Sequence, residues 1–188
     1  ENYVSENPPE EPPMDGDVYL IKTKSDALQA MKLFAEADWV SFDVETYGRR
    51  FYDTDYRLLS VSLTPSGSSD GYVWMGDALK DPDTVEILKH CLENNQLVGQ
   101  NIKFDINAVY VALGIKCENV YADTRLLSKL LDHDMPAGLA AQAGLIGMGA
   151  HKNEAHAFVK AEEKRLKELN PNHKPIKLSR YKLSDFVK

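Results

Sequence analysis

The sequence predicts an α/β fold: a mixed five-stranded sheet, an antiparallel meander joined to parallel strands and flanked by helices. Three observations carry that expectation. Apolar residues alternate with polar ones through "WVSFDVE" (39–45), "RLLSVSLTPSG" (57–67) and "DGYVWMGD" (70–77), the period of half-buried strands. A short apolar run, "QLVGQNI" (96–102), passes directly into the amphipathic "KFDINAVYVALG" (103–114), which stops at a glycine. Helical and strand-like segments then alternate, which calls for helices packed on a partly parallel sheet.

The elements follow in order. Residues 1–17, "ENYVSENPPEEPPMDGD", combine prolines with acids and read as an extended linker, leaving 18–188 as one domain. "VYLIKT" (18–23) is a short strand. "SDALQAMKLFAEA" (25–37) is a helix capped by Ser25, with Leu28, Met31 and Ala35 on its apolar stripe. The three meander strands come next, and Asp81 or Asp83 caps the helix through "TVEILKHCLENN". A right-handed crossover sets "QLVGQNI" parallel to "WVSFDVE". "NVYADT" is a further strand end, "DTRLLSKLLDHD" a helix starting at Asp123, and "AGLAAQAGLIGMG" a helix closed by glycines. "EAHAFVKAEEKRLKELNP" (154–171) is a charged helix stopped by Asn-Pro.

Composition narrows the class. The 188 residues are 43% hydrophobic, enough for a proper core, and the net charge of -7 argues against a bulk electrostatic nucleic-acid binder. It leaves room for a local site where cations bridge carboxylates to phosphates. The charge is uneven: residues 1–149 carry -12 and residues 150–188 carry +5. The basic segment could lie along a phosphate backbone through Lys160, Lys164, Arg165 and Lys167, although Glu162, Glu163 and Glu168 between them favour a solvated face. Cys91 and Cys117 lack metal-type spacing and read as reduced thiols of a reducing, cytoplasmic compartment. No run approaches the roughly 20 apolar residues of a membrane span. Residue 1 is Glu and no signal peptide is visible, so a fragment or processed chain is expected.

The chemistry sits in the carboxylates. Asp43 and Glu45 are i and i+2 on a strand, so their side chains share a face, with Cα atoms roughly 6.6 Å apart at about 3.3 Å per residue. Two carboxylates so placed can close around one hard cation. In "NIKFDINAVY", Asn101 ends a strand and Asp105 lies in the first turn of the next helix, where the helix dipole favours an anion. If that strand neighbours "WVSFDVE", three acids converge. Their repulsion then calls for cations, two Mg²⁺ or Mn²⁺ ions, able to activate water at a phosphodiester.

"FDVET", then "VGQNIKFD", then "YADTRLLSKLLDHD" together resemble the DEDD group of 3′–5′ exonucleases, and within it the proofreading domain of bacterial and phage family A DNA polymerases. The match runs from roughly 18 to 147 in order and spacing. The resemblance implies an RNase H-like fold. It makes Asp43, Glu45 and Asp105 metal ligands, Asn101 a contact to the substrate strand, and Phe104 a packing or base-contact residue. Asp123 reads as a helix cap rather than a ligand. The implied activity is release of nucleoside monophosphates from a single-stranded DNA 3′ end, with a polymerase domain C-terminal in the parent protein and a bacterial or phage-infected cell as the setting.

That family also carries a fourth carboxylate, in a Tyr-x-x-x-Asp or His-containing motif on a late helix. "YKLSD", Tyr181 to Asp185, spells the pattern, but the chain ends three residues later, where the family has a continuing helix. The alternative is a motif beyond Lys188, or none, and hence a domain truncated at its C-terminal end. Tyr47 and Arg49 follow the acid pair and are candidates to grip the substrate strand, with Arg50 beside them. Tyr52 and Tyr56 could stack on bases or be ordinary loop aromatics. Two alternatives to a DNA exonuclease stand open: a non-catalytic module binding nucleic acid or protein, and an RNA-trimming enzyme of the same fold.

Overall fold

In the computed structural model, residues 16–48, 50–145, 160–161 and 164–169 are described. The chain divides into two units, Pro13–Leu139 and the remainder. The first unit holds the whole sheet. Of the second, residues 140–145, 160–161 and 164–169 are described, and all are helical.

The sheet elements are β1 (Val18–Ile21), β2 (Val40–Tyr47), β3 (Arg57–Pro65), β4 (Gly71–Met75), β5 (Leu97–Gly99) and β6 (Val120–Asp123). The helices are α1 (Lys24–Ala35), α2 (Pro82–Asn94), α3 (Lys103–Leu113), α4 (Thr124–Leu131) and α5 (Leu139–Leu145). The mixed α/β architecture is the one expected. The sheet has six strands rather than five, in the order β1-β4-β3-β2-β5-β6. The extra strand is β1, which joins the edge parallel to β4 from Val18↔Gly71 to Ile21↔Trp74. The meander β2–β3–β4 is antiparallel, and β5 and β6 continue parallel to β2.

Helix ends follow local chemistry. Thr23, not Ser25, caps α1. Its hydroxyl accepts the Asp26 N–H at 3.2 Å while the Asp26 carboxylate accepts the Thr23 N–H at 2.8 Å, a reciprocal box that leaves Ser25 inside the first turn. Asp81 caps α2 ahead of Pro82, whose missing N–H costs nothing at a helix start. Gly114 closes α3 at φ 71°, the left-handed conformation a glycine adopts without a Cβ penalty.

One apolar cluster gathers Phe34 of α1, Phe42 of β2, Leu63 of β3, Trp74 of β4, Leu88 and Leu92 of α2, and Leu97 of β5, all buried. Each such side chain contributes about 1.5–3 kcal/mol relative to exposure. Along β2, Val40, Phe42 and Val44 are buried while Asp43 and Glu45 are exposed. The strict alternation therefore sends the apolar side chains into the core and the acids to the opposite, open face.

Candidate active site

The site forms where β2 and β5 part. Their parallel ladder comprises Val40↔Leu97 and Ser41↔Val98, and β5 ends at Gly99. Past that point β2 continues for six residues, Phe42–Tyr47, with β3 on one side and, among the described residues, no strand on the other. The backbone N–H of Val44 then finds its acceptor outside the sheet: it donates to Oδ1 of Asp105, on α3, at 3.0 Å. A carboxylate from a crossover helix thus fills the crevice at the carboxyl end of a central strand, the usual ligand position in open α/β sheets.

Asp105 is buried, while its neighbours Asp43 and Glu45 are exposed. Burial pushes its pKa up to about 7; repulsion from Asp43 and, less strongly, from Glu45 adds to the rise, and the Val44 N–H opposes it. Asp105 therefore senses the charge of both acids. The oxygens of the three carboxylates are not all within 4.8 Å of one another in this arrangement; among the described residues that spacing occurs at Asp132, His133 and Asp134, on the exposed turn after α4. There His133 Nε2 lies 3.3 Å from Asp134 Oδ1, the ordinary pairing of a solvated His-Asp turn. An all-oxygen donor set with excess negative charge suits a hard divalent cation, so Asp43, Glu45 and Asp105 fit a Mg²⁺ or Mn²⁺ site.

Asn101 sits at the turn from β5 into α3 with φ 59°, a left-handed conformation that asparagine tolerates better than most residues. Its N–H donates to Oδ1 of Asp123 at 2.9 Å, and that oxygen also accepts the N–H groups of Arg125 and Leu126. Asp123 is thus the N-cap of α4 and simultaneously a brace for the Asn101 backbone. The Arg125 guanidinium donates to Asn101 Oδ1 at 2.9 Å. Thr124 ties the same corner to the sheet, donating to the Gly99 carbonyl at 3.3 Å and to the Gln100 side chain.

The aromatic candidates divide. Phe104 is half-buried and packs against Phe51, ring centroids 5.4 Å apart, and Phe51 meets Tyr56 edge-on at 5.3 Å. Phe104, Phe51 and Tyr56 thus form one half-buried aromatic group packed against the core. The Tyr56 hydroxyl is buried with no hydrogen-bond partner among the described residues, and burial, then the charge of Asp105, raises its pKa. Tyr47 lies under the Arg57 guanidinium, 5.0 Å from the ring centroid. Arg49, Tyr181 and Asp185 lie outside the described residues. Arg125 is what sequence reading missed. Its place two residues after the capping Asp123, in the first turn of α4, is the one local signal that marked Arg125.

A mixed sheet with carboxylates at the parting of its central parallel strands defines a nuclease-type α/β domain. A family model for 3′–5′ exonucleases matches residues 18–146, and the chain belongs to that family. No curated protein matches it by sequence. Among solved structures, it is similar to Trypanosoma brucei RNase D in complex with GMP, with a TM-score of 0.65 and 12% identity over 90% of this chain and 51% of that one. The Aedes aegypti Nibbler EXO domain gives a TM-score of 0.57 at 17% identity, covering 73% of this chain and 72% of that one. Brucella melitensis NrnC gives 0.51 at 19% identity, covering 71% and 61%. The chain spans between 39% and 51% of the RNase D chains it matches. At these identities the likeness establishes the fold. Among the described residues no helix is long and apolar enough to cross a membrane.

Proposed function

We propose that this domain removes nucleoside 5′-monophosphates from the 3′ end of a single-stranded DNA, with Asp43, Glu45 and Asp105 holding two Mg²⁺ or Mn²⁺ ions. The supporting observation is the buried Asp105 carboxylate, fixed by the Val44 N–H beside an exposed acid pair. In the reaction, water adds across the last phosphodiester. Its oxygen bonds to phosphorus, the P–O3′ bond breaks, and the shortened strand leaves with a 3′-hydroxyl once a proton reaches that oxygen. Bound divalent ions supply water activation and neutralisation of the charge that develops on the phosphate. The protein's part is to place the carboxylates: β2 sets Asp43 and Glu45 on one face, and the β5–α3 turn delivers Asp105 to the gap. Asn101 contacts the strand from the same turn. Tyr47 and Arg49 hold its backbone; in the motif that Tyr181 and Asp185 spell, the aspartate is the fourth metal ligand and the tyrosine orients the water. The parent protein places a polymerase domain after this one and works in the cytoplasm.

A second reading, trimming of RNA or short oligonucleotides, is favoured by the kinds of proteins it resembles in structure: an RNase D solved with RNA U12 and an NrnC solved with pGG. One experiment separates the readings. Single-stranded DNA and RNA of identical sequence, labelled at the 5′ end, are incubated with the wild-type chain and with Asp43→Ala in Mg²⁺ or Mn²⁺. Shortening from the 3′ end by wild type alone supports the exonuclease site, and the faster substrate fixes the class. Equal degradation by both proteins rejects the site. Binding without degradation, even in Mn²⁺, selects the non-catalytic module.

A further inference from the structure

Asn101 is held at two points, by the N-cap and by the first turn of α4. Asp123 takes its backbone N–H, and Arg125 takes its side-chain oxygen, each at 2.9 Å. The two contacts cross 22 and 24 residues of sequence and converge on one left-handed residue. A backbone in a sparsely populated conformation persists when its surroundings over-determine it, and such positions gather at functional sites. The carboxamide has one oxygen, which accepts, and one nitrogen, which donates, whereas a guanidinium only donates. Arg125 therefore fixes which end of the amide faces which way. Its contact is charge-assisted, among the stronger kinds of hydrogen bond. With Oδ1 on Arg125, the NH₂ end of Asn101 is turned away from the guanidinium.

We propose that Arg125 is a positioning residue for substrate binding: it orients Asn101 so that the amide donors meet an acceptor oxygen, phosphate or sugar, of the nucleic-acid strand entering beside Asp105. This rests on reading Asn101 as a strand contact in the exonuclease. Arg125 acts through Asn101 and does not itself touch the strand. Its charge raises the polarity of the Asn101 amide, so the donors presented to the strand are strengthened as well as aimed.

The test is a double-mutant cycle on the full chain: wild type, Arg125→Met, Asn101→Gly and the double variant. Glycine removes the carboxamide and keeps the left-handed backbone, so the cycle reads the side chain alone. Binding of a 5′-fluorescent dT oligomer is followed by anisotropy in Ca²⁺, and kcat and KM for its shortening are measured in Mg²⁺. Each single variant is expected to raise Kd and KM about three- to tenfold with kcat nearly unchanged. The double variant is expected to bind no worse than Asn101→Gly. A loss from Arg125→Met that persists in the Asn101→Gly background and shrinks with added salt means direct phosphate contact and overturns the proposal. Wild-type binding by either single variant, or no binding by the wild-type chain, overturns it as well. The exonuclease reading fails separately, through absence of hydrolysis or its persistence in Asp43→Ala, because the cycle is scored on binding.

Discussion

The Asp105 carboxylate accepts the Val44 backbone N–H at 3.0 Å, across 61 residues, in the place a neighbouring strand would occupy. One bond thereby satisfies a backbone donor left by the short β5 and fixes a carboxylate beside Asp43 and Glu45. The arrangement carries a cost. Asp105 has its pKa raised to about 7 by burial and by the two acids, whereas an unfolded aspartate titrates near ~3.9. Below pH ~4 both states hold the proton and the contribution of Asp105 to stability is fully present; it is lost as pH rises through about 7. Asp105→Asn keeps an oxygen for Val44 and removes the charge. In EDTA, its Tm relative to wild type is therefore expected to rise between pH 5 and pH 8, at about 2–4 °C per kcal/mol in a chain of this size. Adding Mg²⁺ at pH 8 is expected to raise the wild-type Tm and leave the variant's little changed. A Tm difference independent of pH would mean that Asp105 does not carry the buried charge.

The left-handed Asn101 yields a contrast between two substitutions. Alanine at φ 59° meets its own carbonyl and costs roughly 1–2 kcal/mol, to which the loss of the Arg125 bond adds about 1 kcal/mol. Glycine adopts the same φ freely and loses only the side-chain contact. Chemical denaturation is expected to place Asn101→Gly about 1 kcal/mol below wild type and Asn101→Ala a further ~1–2 kcal/mol below that. Equal stability of the two variants would show that the turn relaxes to a right-handed form.

How much of this could be read in the chain depends on the range of the interaction. The acid pair was legible because strand alternation is local: Val40, Phe42 and Val44 announce a buried face, and Asp43 and Glu45 then fall on the other. Asp123 as a cap and Gly114 as a helix stop are equally local. The α1 cap was readable too, since Thr23 and Asp26 satisfy the spacing of a capping box; Ser25 competed as a cap of the same chemistry two residues on. The sixth strand was not readable as part of the sheet. Val18, Tyr19 and Leu20 are exposed, so β1 lacks the alternation of a half-buried strand, and its place depends on pairing with Gly71–Trp74 far along the chain. The hold of Arg125 on Asn101 and the packing of Tyr56 under Phe51 likewise arise from tertiary proximity, which no spacing encodes.

The two thiols give a check on the core. Cys91 and Cys117 are buried, and burial pushes each pKa up to about 12, with Glu93 adding to the rise at Cys117. Only thiolate reacts readily with disulfide reagents, so at pH 8 the native chain is expected to leave both unmodified over the minutes in which a free thiol reacts completely. In denaturant both are expected to react. Fast modification of one thiol in the native chain would place its segment, the end of α2 or the approach to β6, outside the packed core.

Gly99 ties the sheet to the site most tightly. A Cβ at this position would lie 2.9 Å from the Phe42 carbonyl oxygen and 2.9 Å from Ile102 Cγ1. The isoleucine could turn aside, but the carbonyl belongs to the central strand and moves only if β2 and β5 separate. Gly99→Ala is therefore expected to destabilise by about 1–3 kcal/mol, the usual range for overfilling a packed region. Its effect on turnover is expected to exceed its effect on strand binding. Widening the gap between β2 and β5 carries Asp105 away from Val44 and from Asp43, whereas Asn101 stays braced by Asp123 and Arg125 on β6 and α4. Denaturation midpoints together with separate kcat and KM values decide the point. A variant as stable as wild type, with kcat intact, would show that the crevice does not depend on the close approach of these two strands.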